Sequence, residues 1–279
     1  MLNTLRNFQV IAAIATAWSI SAAAAQAGEV LDRVLSTKTI TIAAVPDWPP
    51  HSFLNDQGNL DGFDIDVSND LAKRLGVQVK FVTPAWSIIT AGKWEGRWDL
   101  AIGGMTPTKE RAEKFDFPAV YYYDISVAAI YKDSKLTTIA ELDGKTIGVT
   151  ANTSDMEYLN QRLVIDSPDA PAFDYKFKAG QVKAYEASST ALDDLRLGDG
   201  VRLDAVVVSQ NYLEKALKSG YPLKQLSDPL YYSPEAVIAE RGDKEFYQAI
   251  ASAFEGMKQD GTLTRLSTKW FGLDMTKAN

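Results

Sequence analysis

The stretch that decides the fold reads Asp99-Leu-Ala-Ile-Gly-Gly-Met-Thr106-Pro-Thr-Lys-Glu-Arg111: a short apolar strand, a glycine pair, then a Thr-Pro-Thr entry into a helix. Thr108 suits an N-cap, which places Arg111 in the first helical turn. A cation there opposes the positive end of the helix dipole and its unpaired N–H groups. Two readings explain it. Either an anion binds at this turn, taking the free N–H groups and a bidentate guanidinium, or the arginine turns back to Glu113 or to solvent.

Outward from this junction, strands and helices alternate. Toward the N-terminus, Glu29 to Leu35 reads as a short amphipathic helix and Thr39 to Ala44 as a buried strand. Pro46-Asp-Trp48-Pro-Pro-His51 stops that strand, because proline cannot join a central ladder. Asn55 to Gly58 is a turn. Phe63, Val67, Leu71 and Leu75 recur at helical spacing, with Gly76 closing the helix. Gln78 to Thr83 alternates like a strand, and Ser87 to Lys93 should be helical. Past Arg111, Tyr121 to Tyr131 is a long tyrosine-rich strand. This order predicts a mostly parallel sheet flanked by helices.

The same grammar then restarts. Lys145 to Thr150 is a strand and Asn152 to Leu163 a helix, followed by a Pro- and Asp-containing loop over 164–180. Val182 to Tyr185, Ser188 to Leu197, Ala205 to Ser209 and Gln210 to Leu217 complete a second β/α set. Leu230 to Glu240 is extended, and helices follow over Asp243 to Gln259 and Thr262 to Phe271. Two β/α sets imply two lobes. Ligands of open α/β sheets bind where strands run into helices, so two facing edges make a cleft.

Composition removes several function classes. The chain has 279 residues, 46% hydrophobic and 23% charged, which suits a folded soluble domain and not a disordered one. There is no cysteine, so disulfides, thiol catalysis and lipid attachment through cysteine are excluded. A net charge of −7 without a basic run argues against nucleic acid. A single histidine, His51, rules out a multi-histidine metal site, and a structural role fits it better than catalysis. No metal or cofactor is expected. Residues 1–27 read as a signal peptide: Arg6, an apolar run from Phe8 to Ile20, and Ala25-Gln26-Ala27 before the cut. Export to the periplasm follows.

Candidate site residues gather at the junctions. Asn152-Thr153-Ser154 offers hydroxyls and free N–H groups at a second helix start, or simply caps it. Trp48 and Trp86 follow strands in proline-containing loops and suit stacking. Trp94 and Trp98 should pack under the sheet, and Trp270 should be core. Asp64 with Asp66, and Asp193 with Asp194, read as solvated faces.

Gly62-Phe-Asp-Ile-Asp66, Trp94-x-x-x-Trp-Asp99, Gly103-Gly-Met-Thr106-x-Thr-x-x-Arg111, Phe115-Asp-Phe117, Leu142-Asp-Gly-Lys-Thr-Ile-Gly148 and Leu203-Asp204 follow one another along the chain. Together they resemble the periplasmic solute-binding proteins of family 3, which serve polar amino-acid ABC transporters, over nearly the whole mature chain. The resemblance implies the two-lobed type II periplasmic-binding-protein fold: two β/α lobes joined by two crossover strands, near Tyr122 to Ser126 and near Leu230 to Pro234. Residues 28–123 and 231–279 would form lobe one, and 124–230 lobe two.

It further implies that Arg111, Thr106 and the Gly104 backbone hold a ligand carboxylate, and that Thr153 or Ser154 reaches it on closure. Trp48 would stack on the ligand and Trp86 would line the opposite wall. The implied partners are a small carboxylate-bearing solute and a membrane permease, with the protein a monomer. Two positions depart from the pattern. Pro118-Ala-Val replaces a more polar run and should change little. The acid that binds the ligand's ammonium is replaced by Ser209. Either Asp47, Asp124 or Asp155 substitutes, or the ligand is an opine, betaine or organic acid without a free α-ammonium. The rival from another class is a dehydratase on the same fold resembling cyclohexadienyl dehydratase, but Tyr212 stands where that enzyme's general acid would, and a phenol is a weak acid at neutral pH. A receptor domain would act through a separate partner.

Overall fold

A computed structural model describes residues 28–168 and 170–277. The expected signal peptide at 1–27 lies outside the described residues. One mixed sheet of nine strands runs through the molecule. Its first parallel group is β1 (Thr39–Ala43) between β5 (Gln78–Val82) and β6 (Leu100–Met105). Its second is β8 (Thr146–Thr150) between β9 (Gln181–Tyr185) and β10 (Ala205–Ser209).

Two long strands join the groups, β7 (Phe115–Tyr131) and β12 (Tyr231–Glu240), antiparallel to each other from Tyr231 opposite Ser126 to Glu240 opposite Phe115. Strand β12 pairs β6 in the first group, while the far end of β7 pairs β10 and the short β11 (Leu223–Gln225) in the second. These are the two crossover strands of a two-lobed α/β protein. The expected parallel order therefore stops at β7.

Strand β7 begins six residues before Tyr121, although Pro118 has no N–H to give a ladder. The pairing with β12 shifts register between Val237 and Ala239, next to Pro118, and the irregularity accommodates the missing donor. A three-stranded sheet of β2 (Asp47–Trp48), β3 (Ser52–Leu54) and β4 (Leu60–Asp61) replaces the expected loop and turn. Strands this short carry no readable period.

Helices cover both faces of each lobe. Helix α2 (Phe63–Leu75) and the carboxyl-terminal pair α8 (Lys244–Gln259) and α9 (Thr262–Phe271) close one core with Ile40, Ile42, Leu100 and Tyr121. On the opposite face Trp94 and Trp98 pack with Phe115 and Ile238, as expected. In lobe two, helices α6 (Ser188–Leu195) and α7 (Gln210–Lys218) bury Leu192, Leu195 and Leu213 against β10. Helix α1 (Glu29–Thr37) packs Val34 into the first core.

The two lobes repeat one local device. Asp99 accepts the Thr41 N–H at 2.8 Å on β1, and Asp204 accepts the Thr146 N–H at 2.8 Å on β8. Each acid precedes the third strand of its lobe and ties it to the first. Asp99 also takes Arg33 at 2.5 Å.

Three side chains differ from expectation. Asp64 is fully buried and accepts the Tyr121 hydroxyl at 2.7 Å. Asp194 is also buried, bound by Lys183, Tyr185 and Arg202. Neither is a solvated face: the Tyr121 hydroxyl meets Asp64 inside the core, and two cations with a tyrosine hydroxyl draw in Asp194. Trp270 is half-buried at the edge of the core, its indole N–H on Asp66 at 2.7 Å.

Candidate functional site

Both strand-to-helix junctions end on hydroxyl caps. Thr108 caps α4 (Lys109–Ala112), accepting the Arg111 N–H at 3.3 Å, and Thr153 caps α5 (Ser154–Leu159), accepting the Met156 N–H at 3.3 Å. A threonine in extended conformation ahead of a helix turns its oxygen back on the third N–H of the first turn. The two junctions meet across the cleft through Arg111 on the Asn152 carbonyl and Thr106 on Ser154.

Between them lies a cavity of about 340 Å³. Arg111, Thr106, Gly104, Trp48, Trp86, Thr153, Ser154 and Ser209, the eight positions singled out in the sequence, all line it. Arg111 does not turn back to Glu113. Its Nη1 donates to the Thr106 carbonyl and its Nη2 to the Asn152 carbonyl, each at 2.8 Å, so one guanidinium touches both lobes. Of its five N–H groups, the other three donate to no described residue, and no carboxylate of the described residues forms an ion pair with it. Burial lowers its pKa, while the Glu235 charge opposes that shift.

Asn152 is the hub of the closed cleft. Its φ is +60°, a left-handed conformation that asparagine tolerates better than most residues. In that conformation its carbonyl faces lobe one and also accepts the Trp86 indole N–H at 3.2 Å. Thr106 Oγ1 lies 3.0 Å from Ser154 Oγ across the cleft, and Ser189 donates to Asp47 at 2.6 Å.

Gly104 has φ +55°, and a Cβ there would come within 2.7 Å of the Trp48 ring. Only glycine lets the indole lie this close to the strand end. The Gly104 N–H donates to the Tyr121 hydroxyl at 3.0 Å, so this donor is already committed. Trp48 is held from behind by His51, whose ring stacks on it at 4.1 Å with a 12° tilt. His51 is fully buried, and burial pushes its pKa down to about 3. It is a neutral prop for the tryptophan.

The other wall is acidic. Asp47, Asp124, Asp155, Glu186 and Glu235 line the cavity, against the one cation Arg111 among the described lining residues. Ser209 donates to Asp124 at 2.7 Å. Burial raises Asp124 to about 7, against the pull of the Ser209 hydroxyl. Burial and the Asp124 charge raise Glu235 to about 8. Asp155 accepts the hydroxyls of Ser126 and Tyr231 at 2.5 and 2.7 Å. Glu235 escaped the sequence reading. It lies inside a strand, and its only signal was a carboxylate between Pro234 and an apolar run.

A two-lobed α/β protein with a closed interlobe cleft that offers one anion-free guanidinium is built as a solute trap. Comparison with known proteins is in accord: residues 40–273 match the model of the bacterial extracellular solute-binding proteins, family 3, and the chain belongs to that family. It is similar to the L-cystine-binding protein TcyJ of Escherichia coli strain K12, 30% identical over 250 residues covering 88% of each chain. Among solved structures, it resembles a substrate-binding protein of an ABC uptake transporter from Streptococcus pneumoniae with bound histidine, with a TM-score of 0.75 and 26% identity over 90% of this chain and 99% of that one. The ancestral amino-acid-binding protein AncCDT-1, a precursor of cyclohexadienyl dehydratase, superposes with a TM-score of 0.73 at 27% identity, covering 86% of this chain and 99% of that one.

Proposed function

We propose that the mature protein captures an amino acid between its lobes and hands it to the membrane permease of an ABC importer. The observation that carries this is Arg111, fixed by two backbone carbonyls from opposite lobes, with three N–H donors left and no carboxylate partner among the described residues. A ligand carboxylate supplies the missing anion. Thr106 and Ser154 stand beside it, and Thr153 holds the facing helix start. Trp48 and Trp86 form the apolar walls on which the rest of the ligand lies. Gly104 contributes the space that Trp48 fills, in place of the backbone donor expected of it.

Capture works through closure. In a lobe-opened state the Arg111–Asn152, Trp86–Asn152 and Thr106–Ser154 contacts are lost together, and a bound carboxylate favours the closed state by bridging the same groups. We assign residues 28–123 and 231–279 to one moving body and 124–230 to the other, with the crossovers as hinge. The protein acts in the periplasm as a monomer after removal of residues 1–27; no helix among the described residues is long and apolar enough to cross a membrane.

The protein works as a binder and not as an enzyme. Tyr212, which holds the position of the related dehydratase's general acid, does not line the cavity, and burial raises its pKa. The test is a thermal-shift screen of the proteinogenic L-amino acids and L-cystine, followed by titration of Arg111→Ala. A melting shift in the native protein that Arg111→Ala abolishes supports the reading; absence of any shift in the native protein overturns it. Incubation with prephenate or arogenate should leave both unchanged, and turnover would overturn the binder assignment.

A further inference from the structure

We infer that Asp124 and Glu235, on the two crossover strands, form a paired carboxylate subsite that takes the ligand's ammonium in place of an acid at position 209. The inference rests on the proposed amino-acid reading and locates the part of the site that the family pattern leaves empty here.

Register brings the two acids together. Asp124 on β7 pairs with Ser233 on β12, and Glu235 is the next residue of β12 on the same face. Both line the cavity, although both are almost wholly buried. Neither carboxylate has its hydrogen bonding completed by the protein. Asp124 Oδ1 accepts from Ser209 Oγ at 2.7 Å and from the Ile125 N–H at 2.9 Å, while its Oδ2 accepts nothing from the described residues. Glu235 Oε1 accepts from Thr106 Oγ1 at 2.9 Å and Ser233 Oγ at 2.7 Å, while its Oε2 is buried with no partner. In each acid, then, two donors fix one oxygen and leave the other without a donor among the described residues: Asp124 Oδ2 at the cavity lining and Glu235 Oε2 buried just behind it.

A buried acceptor without a donor is costly, and Glu235 Oε2 together with Asp124 Oδ2, which no described residue reaches, specifies what should arrive. A primary ammonium brings three N–H donors and a positive charge. A quaternary betaine nitrogen brings no donor, and an organic acid brings neither a donor nor a positive charge to a lining that holds five acids. The acidic wall therefore selects for an amine bearing N–H groups.

The position also explains Ser209. Its hydroxyl does not face the ligand as a weak substitute for an acid; it donates to Asp124 and steers that carboxylate. The acid has moved one hydrogen bond back, from the lobe-two helix start to the hinge. The ligand's ammonium is thus held on the crossover strands, where the two bodies meet, and its carboxylate by the groups that close.

The test compares an amino acid with its own α-deaminated acid. The L-amino acid giving the largest thermal shift is titrated calorimetrically into the native protein, Asp124→Asn and Glu235→Gln, and so is the acid that lacks only its α-amino group. The inference expects the native protein to prefer the amino acid, and each variant to lose at least about tenfold in affinity for it. Affinity for the deaminated acid should be unchanged or improved, which also shows that the variant cleft is intact. Each variant carries the test by itself. Amino-acid affinity kept within about threefold in both variants overturns the subsite while leaving the proposed function standing. Equal binding of the amino acid and its deaminated acid by the native protein does the same. Loss of both ligands on Arg111→Ala alone bears only on the carboxylate clamp.

Discussion

The two strand-to-helix junctions that face each other across the cleft have nearly the same backbone and opposite chemistry. Thr108-Lys-Glu-Arg111 and Thr153-Ser-Asp-Met156 both place a threonine cap over the third N–H of a short helix. At that third position lobe one carries a guanidinium that reaches across the cleft, while lobe two carries Met156, packed against its own core. Lobe two instead contributes the Asn152 carbonyl, which accepts from both Arg111 and Trp86 of lobe one. One junction offers donors and charge; the other offers an acceptor that holds the first in place. The difference shows that a helix start is only a frame. The charge placed in its first turn decides whether it grips an anion or completes the grip of its partner.

The most severe way to break this asymmetry is Arg111→Ala. It should raise the Kd for the captured amino acid more than a hundredfold, about 3 kcal/mol or more, because a charged hydrogen-bonded partner is removed from a desolvated pair. Titration calorimetry measures the loss, and the unliganded melting temperature should change little.

The repeated acids before β6 and β10 test whether the lobes are equally stable. Asp99 is buried and bound by Arg33 as well as the Thr41 N–H, whereas Asp204 is half-buried. Asp99→Ala should cost about 3 kcal/mol in urea unfolding, and Asp204→Ala about half that, since the deeper orphaned donors are the more expensive. Equal losses would show that the two devices do not differ.

Lobe one also carries a pH liability that lobe two lacks. His51 is held neutral, its pKa down from 6.5 to about 3, so the unfolded chain binds a proton that the folded chain refuses. The contribution is fully present above pH 6.5 and is lost as pH falls from there toward 3. Between pH 6.5 and 5 the loss is about 2 kcal/mol, at about 1.4 kcal/mol for each tenfold in proton concentration. The native protein should therefore lose about 2 kcal/mol relative to His51→Phe between pH 6.5 and 5, measured by urea unfolding of both at a series of pH values. A parallel curve for the variant would contradict it.

The smallest effect comes from the caps. Thr108→Val and Thr153→Val should each cost about 1 kcal/mol of stability. Only Thr108→Val should also weaken binding measurably beyond that, because its cap orients the turn that carries Arg111. Equal effects on binding would mean that both junctions contribute alike.

Much of the frame was legible in the order of residues. The alternation of β1, α2 and β5, the strand-glycine-helix junction at Arg111, and the restart at Thr146 follow from hydrophobic period and cap chemistry, which act over a few residues. The long tyrosine-rich strand was visible, but its direction was not, since antiparallel pairing with β12 joins segments more than a hundred residues apart. The small sheet around Trp48 was missed because strands of two and three residues have no period to read.

In the site, the cation and the aromatic walls were legible because an arginine in a first turn and a tryptophan in a loop violate local preference. Their meeting in one cavity was not, and neither was the acidic wall. Asp64 and Asp194 read as surface acids until tertiary packing buried them, and Glu235 gave no local sign. By itself, the sequence determined that this protein has two β/α lobes with an arginine at one facing edge, because caps, periods and glycines are local. Only the tertiary structure decided where the opposite charge stands: burial and strand register are properties of the folded sheet, and they set Asp124 beside Ser209 and Glu235 beside Thr106.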